Sequence, residues 1–358
     1  MRFKNIIVTG GCGFIGSNFI KYLFKQKDFK GKIINLDKLT YAGNPNNLVD
    51  IDEKFGNERY FFYKTDITEI DSIEEIFKNH NVDCIIHFAA ESHVDRSITG
   101  PAEFIHTNIV GTFNLLELAR KIWNNRKDVL FHHISTDEVY GSLPEDKVEV
   151  KFEETTSYAP RSPYSASKAS SDHLVMAYYH TYGMPVTISN CSNNYGPLQF
   201  PEKLIPLMIN NMLEEKELPV YGDGKNIRDW LYVRDHCSAI WDIVNKGKRG
   251  ETYNIGGENE WTNIELLHAL CEIVAVEKGK DIDYYKRLIT YVKDRAGHDR
   301  RYAINCDKVK TEFGWKQSVN FEQGLELTVK WYLNNSEWMK NINSGEYRKW
   351  IKKNYQDR

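Results

Sequence analysis

A glycine-rich loop near the start of the chain constrains the possible fold more than any other feature. Residues 5–9 (NIIVT) predict a short buried strand, and Gly10, Gly13 and Gly16 follow it directly. Apolar residues then recur at helical spacing, so the loop opens a helix. Glycines there allow a tight turn and close approach to a pyrophosphate, while the helix amino terminus supplies N–H groups. The pattern predicts an α/β fold, a doubly wound parallel sheet of the Rossmann type that binds a dinucleotide. The alternative is a glycine-rich turn with no nucleotide.

Two acidic residues and a pair of alanines follow the next predicted strands. Asp37 ends the second strand, where a carboxylate can accept hydrogen bonds from an adenosine ribose and repels a 2′-phosphate, so we expect NAD rather than NADP. Asp66 follows the third strand, and it either holds the adenine amino group or caps the next helix. Ala89 and Ala90 follow the fourth strand, where small side chains would let the nicotinamide half lie against the backbone.

Hydroxyl and carboxyl groups end the fifth predicted strand, at Thr136, Asp137 and Glu138. Strand interiors are depleted in Asp, so the strand should stop near residue 135 and leave these side chains at its carboxyl end. Ligands bind at that end in open α/β sheets, although the same residue types also cap turns and helices. Further along, Tyr164 and Lys168 are four residues apart and share one face of a predicted helix. An ammonium group and a cofactor's positive ring would stabilise a Tyr164 phenolate, so we expect acid–base chemistry here.

The alternation of strands and helices stops after a sixth predicted strand at residues 186–189. We therefore expect residues 1–197, with returning segments of about 229–258, to form an NAD-binding Rossmann domain. Residues 198–228 and 259–358 should form a smaller C-terminal substrate-binding domain.

Composition argues against several other classes of protein. A formal net charge of −3 over 358 residues, with only short and interrupted basic clusters, predicts no nucleic-acid partner. No apolar run approaches the roughly 18 residues that cross a bilayer, so no membrane association is expected. The six cysteines stand singly and the amino terminus lacks the features of a signal peptide, which predicts free thiols in the cytoplasm. The eleven histidines lack metal-ligand spacing, so no metal is expected.

Three motifs together resemble the extended short-chain dehydrogenase/reductase superfamily: the glycine loop at 10–16, the triplet at 136–138, and Tyr164 with Lys168. Within that superfamily the chain is similar to the dTDP-glucose 4,6-dehydratase family. The Asp-Glu pair is the most discriminating part, because related epimerases and decarboxylases typically lack it. The chain departs from the family's pattern at Gln317, where a proline is common. Four further stretches match the family's motifs, at 37–44, 89–97, 192–197 and 294–299.

The resemblance implies a reaction in which NAD is reduced and reoxidised within one turnover. Tyr164 would take the proton of the sugar 4-hydroxyl while Thr136 holds the 4-oxygen and C4 gives up a hydride. Glu138 would remove the C5 proton, and a protonated Asp137 would donate to the departing 6-hydroxyl. The hydride returns to C6, so a tightly held NAD is expected. Family members are commonly homodimers joined by a four-helix bundle, which implies the helices after residue 101 and around 164–182 here.

The same resemblance implies contact residues for both ligands. Arg228 and Arg295 suit a diphosphate, because guanidinium groups pair bidentately with phosphate oxygens. Two alternatives stay open: a UDP-sugar 4-epimerase or decarboxylase of the same superfamily, and a non-catalytic NAD-binding regulator. The residues expected to contact NAD are Gly10, Gly13, Phe14, Ile15, Gly16, Asp37, Lys38, Leu39, Thr40, Asp66, Ile67, Ala89, Ala90, Thr107, Tyr164, Lys168 and Asn194. Those expected to surround the nucleotide sugar are Ser92, Thr136, Asn193, Lys203, Leu204, Pro219, Tyr221, Arg228, Asn263, Arg295 and His298.

Overall fold

A seven-stranded parallel sheet forms the centre of the molecule in the computed structural model, which describes residues 3–294 and 298–342. Its strand order is β10-β6-β5-β4-β1-β2-β3, and every neighbouring pair is parallel. Strands buried on both faces read as continuous apolar runs, as these do. The predicted α/β fold class is confirmed. The strands are β1 (Asn5–Thr9), β2 (Lys32–Asp37), β3 (Tyr60–Lys64), β4 (Cys84–His87), β5 (Leu130–Thr136), β6 (Val186–Cys191), β7 (Asn193–Tyr195), β8 (Leu218–Tyr221), β9 (Ile227–Tyr232), β10 (Glu251–Ile255), β11 (Glu260–Thr262) and β12 (Ile289–Val292).

Helices cover both faces of this sheet. Helices α1, α9 and α12 pack on one face through a core that includes Phe19, Ile240 and Val309. Helices α3, α6 and α7 pack on the other face through a core that includes Ile73 and Leu115. The α-helices are α1 (Phe14–Lys25), α2 (Val49–Phe55), α3 (Ile70–His80), α4 (Val94–Thr99), α5 (Pro101–Phe104), α6 (Thr112–Trp123), α7 (Pro163–Tyr182), α8 (Leu204–Leu213), α9 (Val233–Lys246), α10 (Asn263–Lys278), α11 (Ile282–Lys286), α12 (Asp307–Phe313), α13 (Phe321–Asn334) and α14 (Ser336–Ile342).

A π-helical segment, Ile105–Gly111, interrupts the single helix that the sequence predicts after residue 101. Its buried Asn108 accepts a hydrogen bond from Glu91 N at 2.8 Å and donates one to Ser167 Oγ at 2.8 Å. Such bulges are common at functional sites. Here the irregular turn joins the loop after β4 to helix α7, and both of these segments reach the cavity described below.

A second apolar core lies in the part of the chain that follows β6. Strands β7, β9 and β11 form a small sheet, and β8 pairs with β12. Helices α8, α10 and α13 surround them, with Leu207, Leu270 and Val329 fully or almost fully buried. Across the described ranges, no helix combines the length and the apolar character that crossing a membrane requires.

Candidate active site

A cavity of about 310 Å³ opens where the central strands end. The glycine loop, the ends of β2, β4, β5 and β6, and the start of α7 border it. This is the edge at which open α/β sheets bind ligands. Every residue predicted to contact NAD lines the cavity except Leu39, whose backbone N–H instead donates to Asp37 Oδ1 at 2.8 Å.

The glycine loop leaves room for a ligand and for little else. Gly10 has φ of +68°, a conformation that favours glycine, and a Cβ added there would lie 2.8 Å from the Ala89 Cα. Helix α1 begins at Phe14, just beyond Gly13, so its free N–H groups face the same space. The loop therefore has the backbone geometry that a pyrophosphate requires.

Two acidic residues border the end of the cavity next to β2 and β3. Asp37 Oδ2 accepts from the N–H of Cys12 at 2.9 Å, and burial raises the pKa of this carboxyl. Asp66 Oδ2 lies 2.7 Å from Lys38 Nζ, and its other oxygen accepts from Thr68 N at 2.9 Å. Asp66 therefore closes a turn after β3 and lines the cavity, but it does not cap helix α3, whose N-cap is Glu69 with no side-chain cap bond. Because Asp66 neutralises Lys38, this end of the cavity suits an unphosphorylated ribose.

The Thr136 side chain ends β5 and caps the short 3₁₀ helix Asp137–Tyr140 that follows. Thr136 Oγ1 accepts from the N–H of Glu138 at 3.3 Å and donates to Asp137 Oδ1 at 3.3 Å. The predicted strand end is thus correct, and the capping alternative also holds for Thr136. All three members of the triplet line the cavity.

Asp137 is a buried carboxyl group, with 2% of its surface exposed. Burial and the adjacent charge of Glu138 raise its pKa well above the usual range, and the Arg228 cation only partly opposes them. Its Oδ2 has no hydrogen-bond partner among the described residues. This environment favours the protonated form of Asp137, which has one carboxyl oxygen available to a ligand.

Helix α7 brings Tyr164 and Lys168 to the cavity together. A capping box between Ser162 and Ser165 fixes the start of this helix. Burial and the Glu138 charge raise the pKa of the Tyr164 phenol, and the Thr136 side chain partly opposes them. Lys168 Nζ donates to the Ile134 carbonyl at 2.8 Å, and burial lowers the pKa of this amine to about 8. A phenolate at Tyr164 therefore depends on the positive ring of an oxidised nicotinamide as well as on Lys168.

Only some of the residues predicted to surround the sugar nucleotide border the cavity. Ser92, Asn193 and Lys203 line the cavity with Thr136, and Lys203 Nζ donates to the Ser92 carbonyl at 3.2 Å. Arg295 lies outside the described residues. The other predicted residues do not border the cavity: Leu204, Pro219, Tyr221, Arg228, Asn263 and His298.

Arg228 projects from β9 into a buried position near the triplet. Its guanidinium donates to the Ile227 carbonyl at 2.7 Å and to the Asp299 carbonyl at 2.9 Å. It also lies over the Tyr302 ring, 4.5 Å from the ring centroid. The charge of Arg228 reaches Asp137, so it stands close to the reacting groups although it does not border the cavity.

Several residues around the cavity escaped the sequence prediction. Asp172 and His133 lie under Lys168, with His133 Nε2 at 3.2 Å from both Lys168 Nζ and Asp172 Oδ1. Asp172 follows Lys168 by four residues, so helical spacing was a signal that could have found it. Glu91 and Glu202 also line the cavity, but they are far apart in the chain and only the tertiary fold brings them there.

A Rossmann-type sheet that presents a tyrosine and a lysine from one helix to the cofactor cavity defines the chain as a short-chain dehydrogenase/reductase of the extended kind. A family model described as GDP-mannose 4,6 dehydratase matches residues 7–328. The dTDP-glucose 4,6-dehydratase of Shigella flexneri is 54% identical over an alignment of 368 residues, gaps included, which covers 99% of this chain and 99% of its own. The chain therefore belongs to the dTDP-glucose 4,6-dehydratase family, and the predicted family is confirmed.

Solved structures agree with this assignment. The dTDP-glucose 4,6-dehydratase of Bacillus anthracis, solved in complex with NAD, is 49% identical with a TM-score of 0.83 and covers 95% of this chain and 100% of its own. The UDP-glucose 4-epimerase of Thermotoga maritima is 30% identical with a TM-score of 0.81 and covers 93% of this chain and 99% of its own. Because an epimerase shares the fold, the reaction must be argued from the site.

Proposed function

We propose that this chain is an NAD-dependent dTDP-glucose 4,6-dehydratase, which converts dTDP-glucose to dTDP-4-dehydro-6-deoxy-glucose and water in deoxysugar biosynthesis. One observation carries the proposal. Two consecutive carboxyl groups follow β5, and they differ in environment: Asp137 is buried with a raised pKa, whereas Glu138 is only half-buried. Water elimination needs an acid and a base together, and the different environments of Asp137 and Glu138 supply both.

Oxidation at C4 begins with Tyr164. The Tyr164 phenolate accepts the proton of the sugar 4-hydroxyl, and before this transfer the Lys168 ammonium stabilises the negative charge of the phenolate. Thr136 holds the 4-oxygen of the sugar in place. NAD, when bound, takes the hydride from C4 and later supplies it to C6. Gly10, Gly13, Asp37 and the other cavity residues would hold this cofactor.

Elimination then uses the two carboxyl groups. The 4-ketone makes the C5 proton acidic, and Glu138 accepts it. Asp137 donates its proton to the 6-hydroxyl, which leaves as water when the C6–O bond breaks. A carboxyl whose burial raises its pKa is suited to this role as general acid.

We further propose that one domain binds NAD and a second domain binds the nucleotide of the substrate. Residues 1–197 with about 229–258 hold NAD, and the remainder of the chain holds the nucleotide. The separate apolar core around α8, α10 and α13 supports that division. From the second domain, Lys203 contacts the sugar nucleotide and the Arg228 cation contacts its diphosphate after a shift of its side chain. Ser92 and Asn193 contact the sugar nucleotide from the edge of the NAD-binding domain.

The chain also has features of a cytoplasmic homodimer. Ile105, Val110, Phe113 and Tyr182 leave more than a third of their surface exposed on the π-helical segment, α6 and α7. Apolar side chains grouped on neighbouring helices support a helix-bundle interface there. All six cysteines are described and buried, and none of them forms a disulfide, which suits a reducing compartment. Phe113→Glu should lower the mass in sedimentation, whereas Val276→Glu on α10 should not.

The decisive assay offers dTDP-, UDP- and CDP-glucose in separate reactions and weighs the products. Dehydration removes one water, decarboxylation removes carbon dioxide, and epimerisation leaves the mass unchanged. We expect loss of water, fastest with dTDP-glucose. An unchanged mass with all three substrates would refute the proposal.

A further inference from the structure

A buried carboxyl group, Asp172, lies one turn beyond Lys168 on helix α7. Asp172 exposes 1% of its surface and Lys168 exposes 4%. His133 on β5 connects the two, because its Nε2 lies 3.2 Å from Lys168 Nζ and 3.2 Å from Asp172 Oδ1. The reaction derived above uses Lys168 and leaves Asp172 and His133 without a role.

The hydrogen bonds of Asp172 do not account for its charge. Asp172 Oδ2 accepts from Ser135 Oγ at 2.7 Å and from Tyr158 Oη at 2.9 Å. Both partners are donors, so the oxygen of an asparagine side chain would accept these bonds equally well. Oδ1 has no hydrogen-bond partner among the described residues and faces His133. Because a buried carboxylate is costly unless a cation compensates it, the charge of Asp172 indicates a cationic partner nearby.

Lys168 is the cation that this charge can stabilise. Its Nζ donates to the Ile134 carbonyl at 2.8 Å, and a neutral carbonyl leaves the charge of a buried ammonium uncompensated. Burial lowers the pKa of Lys168 to about 8, and the charge of Asp172 opposes that effect. Without Asp172, Lys168 would lose its proton at lower pH, and Tyr164 on the same helix would lose the cation beside its phenolate.

The other titratable groups of this buried network carry no negative charge near pH 7. Those that face Lys168, His133 or Asp172 from α7 and from the elements packed against it are His87, His133, Tyr140, Tyr158, His173 and Cys191. Burial raises the pKa of both tyrosines and of the Cys191 thiol, and it lowers the pKa of His87 and His133. His173 is exposed. The negative charge next to Lys168 is therefore that of Asp172.

We propose that Asp172 is a positioning residue for C4 oxidation, whose carboxylate keeps Lys168 in the ammonium form that the Tyr164 phenolate requires. His133 provides the contact between the two, and the two hydroxyl groups bound to Oδ2 hold the carboxylate in place. Asp172 does not border the cavity, so it acts through Lys168. The inference rests on the proposed function, in which Tyr164 is the base in C4 oxidation.

The test measures kcat and KM of the NAD-loaded full chain over a range of pH, with dTDP-glucose that carries deuterium at C4. The deuterium slows hydride transfer, so that kcat reports C4 oxidation. Asp172→Asn keeps an acceptor for both hydroxyl groups and removes the charge. Its alkaline fall in kcat should begin about one pH unit lower than that of the wild type, which makes it about 10-fold slower at high pH, while the KM for dTDP-glucose stays within about twofold.

Two controls separate the charge from general damage to the fold. Asp172→Glu keeps the charge, so its alkaline fall in kcat should lie close to that of the wild type even if kcat itself is lower. Asp235→Asn makes the same change at a buried carboxyl on α9 that accepts from Ser318 N at 3.0 Å, and it should leave the profile unchanged. Asp172→Ser, which also removes the charge, repeats the test if the amide variant folds poorly.

The outcomes distinguish the role of Asp172 from the reaction itself. An alkaline fall that moves in Asp172→Asn and stays in place in Asp172→Glu and Asp235→Asn supports the role. An unchanged profile in Asp172→Asn, a uniform loss of kcat at every pH, or an equal shift in Asp172→Glu overturns it and leaves dehydration standing. Failure of the wild type to release water from dTDP-glucose overturns the proposed function instead.

Discussion

Asp137 and Glu138 are chemically similar acids that the fold places in different environments. Asp137 is buried and its pKa is raised, whereas Glu138 is only half-buried at the cavity wall. The sequence alone predicted the position of the pair, because a buried strand cannot continue through two carboxyl groups. The roles of acid and base came only from the family resemblance, because the desolvation of Asp137 depends on tertiary packing. The charges of Asp229 and Arg228 also reach it from the distant strand β9.

Substitution of the base and of the tyrosine should separate oxidation from elimination. Glu138→Gln should still oxidise C4, so reduced nicotinamide should accumulate to about one per site while product formation falls by about 100-fold or more. Tyr164→Phe should slow the appearance of reduced nicotinamide itself, because the 4-hydroxyl loses its proton acceptor. Stopped-flow absorbance and product analysis measure both steps. The reverse pattern would mean that the two roles are misassigned.

At the scale of helices and strands, regular periodicity was sufficient for most of the fold and irregular segments were not predicted. The first six strands and the helices α1 and α7 lie where the sequence predicted them. The π-helical geometry of Ile105–Gly111 was not predicted, because the apolar spacing there is that of an ordinary helix and the irregular turn depends on tertiary bonds such as that from Asn108 to Ser167. The link from α14 through Asn47 to the glycine loop was not predicted either, because it joins residues far apart in the chain.

Trp338 on helix α14 should slow the release of NAD. Trp338 Nε1 donates to Asn47 Oδ1 at 2.7 Å, and Asn47 Nδ2 donates to the Cys12 carbonyl inside the glycine loop at 3.0 Å. These bonds preorganise the loop, which lowers the cost of binding the cofactor. The Trp338→Phe variant should release NAD about fivefold faster, because that factor corresponds to the free energy of one typical hydrogen bond.

The matched control is Trp331→Phe on α13, whose ring centroid lies 5.1 Å from that of Trp338. It alters the same aromatic cluster without touching the bond to Asn47. A competitor chase of bound NAD measures release from both variants. Equal rates in the two variants would rule out the role of Trp338.

Asp172 on helix α7 should make the stability of the folded chain depend on pH. Burial raises the pKa of this carboxyl from 3.8 to about 6, so the folded state binds the proton more tightly than the unfolded state. The stabilisation of the folded state by this protonated carboxyl is complete below pH 3.8 and is lost as the pH rises through about 6. Relative to Asp172→Asn, the wild type should lose up to about 3 kcal/mol of unfolding free energy over that interval. Urea unfolding across the interval measures the difference, and a difference that stays constant with pH would contradict the prediction.

At the scale of the whole molecule, the reaction depends on a cavity that both parts of the chain border. The central sheet contributes the glycine loop, the triplet and α7, and the segment after β6 contributes Asn193 and Lys203. The same fold serves an epimerase, so overall shape leaves the reaction open. The pair of carboxyl groups with different environments is what assigns water elimination to this member of the superfamily.

One measurement tests that assignment most directly: incubation of the NAD-loaded chain with dTDP-glucose in deuterated water, followed by mass spectrometry and NMR of the product. The account predicts a 4-keto-6-deoxy sugar, lighter by one water, with solvent deuterium at C5. The hydrogen delivered to C6 should come from C4 of the same sugar, so C6 should carry no solvent deuterium. A product that retains the 6-hydroxyl, or one with solvent deuterium at C6, would contradict the account.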